Sequence, residues 1–99
     1  MQSWYPAAFE REMACTAAEL RERLPEACGG RQLELMAQRA EIALGDGKML
    51  LQWRTLAPRR IALLSVPRLA VSFRFDGVDE AARQQVMRFF DLFTQRGGG

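Results

Sequence analysis

Six cationic side chains with the chemistry to bind an anion lie in one acid-free stretch: Lys48, Arg54, Arg59, Arg60, Arg68 and Arg74. Residues 47–75 carry these six and no Asp or Glu, a net charge of +6. Residues 1–46 set five arginines against eight acids, and residues 76–99 three arginines against four acids, so the whole chain carries only +2. Clustered guanidinium groups can grip phosphate or carboxylate with two parallel N–H donors, and nucleic acid is the natural polyanion. The plainer account is a solvated face whose arginines pair with Glu34 and Glu41 on neighbouring strands. Thirteen of the fourteen basic residues are arginine, a bias that a GC-rich genome explains without function.

Other reactive types are sparse. The chain has no histidine, which excludes a Ser-His-Asp triad, imidazole acid/base work and His-metal sites. Cys15 and Cys28 form no Cys-x-x-Cys pair, and no other cysteine completes a zinc site. They read as two free thiols, Cys15 on a helix and Cys28 in the turn after it. Ser65 and Ser72 have no base to activate them. Glu10/Glu12 and Asp79/Glu80 are explained by helix dipole and solubility, and Asp46 and Asp76 stand alone rather than in a metal loop. Gly45-Asp46-Gly47-Lys48 lacks the rest of a phosphate-loop spacing and reads as a hairpin turn. Gly97-Gly98-Gly99 shares its glycines with ubiquitin-like carriers, but those end after a strand, and here the tail follows a helix. No catalytic residue, metal ligand or cofactor follows from these residues.

Elements must position the cations. The 99 residues, 48% hydrophobic and 26% charged, suit one domain with a thin core. Residues 1–6 form an N-terminal arm and 97–99 a glycine tail. Phe9, Met13, Ala17, Leu20 and Leu24 fall at helical spacing and predict an amphipathic helix over residues 7–24. Pro6 suits its first position, and Pro25 with Gly29-Gly30 stops it. Trp4 and Tyr5 then fold back on the core as an apolar clasp. Residues 32–44 have helix-forming types but strand-like alternation, and predict two short strands rather than one helix.

Alternation continues beyond the Gly45–Gly47 turn. Met49, Leu51 and Trp53 face one way, and Lys48, Gln52 and Arg54 the other. Leu69, Val71, Phe73 and Phe75 alternate with Arg68, Ala70, Ser72 and Arg74 in the clearest strand of the chain. Residues 60–66, bracketed by Pro58 and Pro67, suggest an edge strand, a bulge or a bent connection, with Arg59 and Arg60 at a turn. A second amphipathic helix over residues 79–95 places Ala82, Val86, Phe89, Phe90 and Phe93 on its apolar stripe. The expected fold is α+β: an N-terminal helix, a four- to five-stranded antiparallel sheet and a C-terminal helix, both helices on the sheet face that carries Trp53, Phe73 and Phe75. Lys48, Arg54, Arg68 and Arg74 then share the opposite face.

The helix–sheet–helix order resembles the TATA-binding-protein-like, or helix-grip, folds, although no strand before the first helix is visible in the sequence. The residues Pro58-Arg59-Arg60-Ile61-Ala62-Leu63, Phe73-Arg74-Phe75-Asp76-Gly77 and Gln95-Arg96-Gly97-Gly98-Gly99, with Trp4-Tyr5-Pro6, are similar to a family of short bacterial proteins of no assigned function. Neither likeness implies a catalytic residue.

The sequence predicts a small, non-enzymatic, cytoplasmic binding domain. It has no signal-like start or membrane span, and its partner is a protein or a second copy that pairs along an exposed edge near Pro58–Pro67. Two alternatives are a nucleic-acid or anionic-ligand binder using the six cations, and a carrier of a small apolar ligand held between sheet and C-terminal helix. Exposed aromatics, which single-strand binders interleave with basic residues, are missing from the basic face.

Overall fold

In the computed structural model, residues 4–94 are described. The order is β1 (Ala8–Met13), α1 (Ala17–Ala27), β2 (Leu33–Leu35), β3 (Arg39–Leu44), β4 (Gly47–Ile61), β5 (Leu64–Asp76) and α2 (Glu80–Thr94). The five strands form one antiparallel sheet in the order β1-β5-β4-β3-β2. Both helices cover one face, where Leu20 and Leu24 of α1 and Val86, Met87 and Phe90 of α2 join Ile42, Met49, Leu51, Trp53, Val71 and Phe73 in one core.

The predicted helix over residues 7–24 divides. Its first third is β1, paired with β5 from Ala8↔Arg74 to Met13↔Leu69. Phe9 stacks on Phe73 at 4.7 Å, nearly parallel, so the open edge of β5 holds this segment extended. Pro6 therefore precedes a strand, and a strand does precede the first helix. Helix α1 begins where a capping box dictates. The Thr16 hydroxyl accepts from the Glu19 amide at 3.1 Å, and the Glu19 carboxylate accepts from the Thr16 amide at 2.8 Å. Pro25 lies inside the last turn rather than ending the helix. The chain leaves through Cys28, and Gly29 and Gly30 adopt positive φ.

Residues 32–44 form the two short strands. Arg21 of α1 donates to the carbonyls of Met36 and Ala37, which pins their connection to the helix. Gly45, at φ +60°, turns the chain into β4. A Cβ on Gly47 would collide with the carbonyls of Asp76 and Gly77, so glycine lets the two chain segments meet.

Strands β4 and β5 form one long hairpin paired from Lys48↔Asp76 to Ile61↔Leu64. The register slips between Leu56 and Arg59, where Pro58 has no N–H to give. The stretch between the prolines thus begins at a bulge, one of the expected readings, and runs as paired strand with free outer edges rather than as a bent connection. It contains the hairpin's tip, Ala62-Leu63, with Ala62 at φ +54°. Arg59 and Arg60 belong to β4 itself. Strand β1 ends opposite Leu69 and β3 begins opposite Gln52, so the hairpin's far end extends without neighbours on either side. About six residues per strand give this arm a length of roughly 20 Å, in a molecule 46 Å along its longest axis.

Asp79 caps α2 by accepting from the Ala82 amide at 2.9 Å. The buried stripe is Val86, Met87, Phe90, Asp91 and Thr94, turned from the predicted one. Phe89 is 37% exposed, packing on Phe93 and beside Gly29, because Asp91 and Thr94 claim the inner side. Tyr5 is buried as expected of the clasp, while Trp4 stays 60% exposed. Gln95 and the glycine tail lie outside the described residues.

Candidate functional site

Alternation places Lys48, Arg54, Arg68 and Arg74 on the uncovered sheet face, and the hairpin register adds Arg59. Arg60, opposite Ser65, falls on the other side of the arm. The six cations are not one patch. Glu12, on β1 rather than on a helix, accepts from Arg68 Nη2 at 2.7 Å and from Arg59 Nη2 at 3.5 Å. The hydrogen bond from Arg68 holds the Glu12 carboxyl below its ordinary range and raises the Arg68 guanidinium. Glu41 takes Arg39 at 3.4 Å and Lys48 at 3.6 Å. Among the described residues Arg54, Arg60 and Arg74 make no ion pair. The open face therefore carries both signs, with Glu10 and Glu12 of β1 beside the arginines of β4 and β5.

Across the sheet's centre, Glu10, Ser72, Gln52 and Arg39 form one row over four strands. Arg74 and Leu50 form part of the next row. Arg39, Gln52, Ser72 and Arg74 surround a depression of about 140 Å³ floored by Leu50 and Leu51. A neighbouring depression of about 200 Å³ shares Gln52 and Ser72 and lies between Glu10, Arg54 and Ala70.

The arm's open side is largely apolar. Leu56, Ile61, Leu64 and Val66 fall on it, interrupted by the Glu12-bound Arg59 and Arg68. Ile61 is 52% exposed, Leu64 67%, and Leu63 at the tip is fully exposed. Three large aliphatic groups in water at the end of an arm are an interaction surface in waiting.

A buried polar cluster on the covered face escapes sequence reasoning. Arg11, facing inward from β1, forms an ion pair with Asp91 of α2, which is fully buried. The Tyr5 hydroxyl donates to the other Asp91 oxygen. The Arg11 guanidinium lies 4.9 Å from the centre of the Phe73 ring. Burial first, and then the bond to Asp91, push the Tyr5 hydroxyl up to about 12. The cluster ties the N-terminal segment, β1 and α2 together. Two signals were available: an arginine midway along the alternating Phe9-Arg11-Met13 side, and an aspartate beside Phe90.

Burial raises both thiols, Cys28 to about 11, which makes them poor nucleophiles. Both are free; Cys28 is in the expected turn, whereas Cys15 lies before α1 rather than on it. Among the described residues no three acidic or cysteine side chains gather to hold a metal ion. Among the described residues no helix is long and apolar enough to cross a membrane. No protein-family model and no curated protein matches the chain.

Proposed function

We propose that the chain is a small non-enzymatic binding domain that associates with a second copy of itself through the open side of the β4–β5 arm. The observation that carries this reading is the apolar stripe Leu56, Ile61, Leu64 and Val66, in which Leu56 and Val66 are half-buried while Ile61, Leu64 and the tip residue Leu63 stand exposed. The charge layout favours a second copy over a polyanion. Glu12 neutralises Arg59 and Arg68, so two such stripes meet without facing unpaired like charges. The same pairing weakens a nucleic-acid reading, because Glu12 and Glu41 together hold three of the six candidate cations, Arg59, Arg68 and Lys48. A two-stranded arm offers less area than the roughly 1,200–2,000 Å² of a permanent complex, so the association is weak and reversible.

The test mixes isotope-labelled with unlabelled protein and records NOEs that cross between the two. Cross-peaks from the Ile61, Leu64 and Val66 methyls to the unlabelled partner are expected at high concentration. Their absence at millimolar protein, or their appearance only on α2, overturns the proposal.

A further inference from the structure

We propose that the depression at the centre of the open sheet face binds a phosphoryl group, as free phosphate or as a small phosphate monoester. Arg39, Gln52, Ser72 and Arg74 around it bring two guanidinium groups, an amide and a hydroxyl from three adjacent strands. No carboxylate lines it. Among the described residues Arg74 makes no ion pair, and the Gln52 and Ser72 side chains make no hydrogen bond to the protein. Arg39 is held only by Glu41 at 3.4 Å, and Lys48 reaches that carboxylate at 3.6 Å. Arg39 can therefore turn to a ligand while Glu41 keeps a cation.

The donor geometry selects the ligand class. A carboxylate offers two coplanar oxygens, which a single guanidinium satisfies. Donors converging from three strands suit a tetrahedral dianion, whose oxygens point in different directions. The volume of about 140 Å³ admits such a group, and the neighbouring depression, which Glu10 lines together with Arg54 and Ala70, leaves room for the uncharged organic part of a monoester. Glu10, at the end of the Ser72–Gln52–Arg39 row, sets an acidic limit on the β1 side. The site lies on the body of the sheet, away from the arm, and does not depend on self-association.

Amide chemical shifts followed against inorganic phosphate and against glycerol phosphate, at constant ionic strength, test it. A saturable change centred on Arg39, Gln52, Ser72 and Arg74 is expected, with weaker binding of succinate. Arg74→Ala and Arg39→Ala, both at exposed positions, each lower the affinity at least tenfold. Arg74→Lys, which keeps the charge but loses the fork, falls between, and Arg31→Ala leaves it unchanged. Saturation with inorganic phosphate alone identifies the free ion as the ligand, and tighter glycerol phosphate identifies a monoester. Unsaturable shifts spread over all the arginines, or succinate binding as tightly as phosphate, overturn the assignment.

Discussion

Glu12 on β1 holds Arg68 on β5 at 2.7 Å, and with its other oxygen reaches Arg59 on β4 at 3.5 Å. One carboxylate from the sheet's edge thereby compensates two cations at the root of the arm. An arm that would carry three uncompensated arginines is left with one, Arg60, on its other side.

Removing that charge acts on association rather than folding. Glu12→Gln leaves Arg59 and Arg68 unpaired, and the dimerisation constant should fall about two- to fivefold, as expected for exposed ion pairs. Thermal stability should barely move. Light scattering or sedimentation on the variant reads the first, and a melting curve the second.

Acid should act through the same group. The Glu12 carboxyl is lowered from its ordinary 4.5 by its bond to Arg68, so the charged pair persists as pH falls to that value and is lost below it. Self-association measured from pH 7 downward should stay level to about pH 4.5 and then weaken.

The buried cluster governs folding. Arg11→Met strands the Asp91 carboxylate in the core and should cost about 3–5 kcal/mol. Replacing both, as Arg11→Met with Asp91→Leu, should cost less than the two single changes together, because no buried charge is left behind. Urea unfolding of the four proteins decides it.

Alkaline pH has a separate target. The Tyr5 hydroxyl is raised from 10 to about 12, so its protonated form contributes stability that is fully present below pH 10. That contribution is lost as pH rises from 10 toward 12. The Tyr5→Phe variant, which gives up the Asp91 bond, should lose about 1–3 kcal/mol at neutral pH and show a flatter alkaline decline.

Much of the sheet was legible because β4 and β5 alternate strictly from Met49 to Trp53 and from Leu69 to Phe75. The outward placement of Lys48, Arg54, Arg68 and Arg74 follows from that alternation. Strand β1 was not legible: Phe9, Met13, Ala17, Leu20 and Leu24 mimic a helical stripe across two different elements. The break lies in the Thr16-to-Glu19 capping box, a local signal that outweighs the longer period. With β1 misassigned, the partnership of Glu12 with Arg59 and Arg68 was out of reach. The hairpin tip at Ala62-Leu63 carries no Gly, Asn or Asp to announce it.

The rotation of α2 gives a direct comparison. Phe73→Ala, in the core against Phe9 and Phe90, should cost about 3–5 kcal/mol. Phe89→Ala, partly exposed beside Gly29, should cost about 1–2 kcal/mol. Equal losses in urea unfolding would put Phe89 back in the core.

Sedimentation equilibrium over a wide concentration range, on the native chain and on Leu64→Lys, bears most directly on the central claim. The native protein should move reversibly from monomer toward dimer as concentration rises. The Leu64→Lys protein, folded because that side chain is exposed, should stay monomeric. A native chain that remains monomeric at millimolar concentration, or a variant that dimerises as well as the native chain, would contradict it.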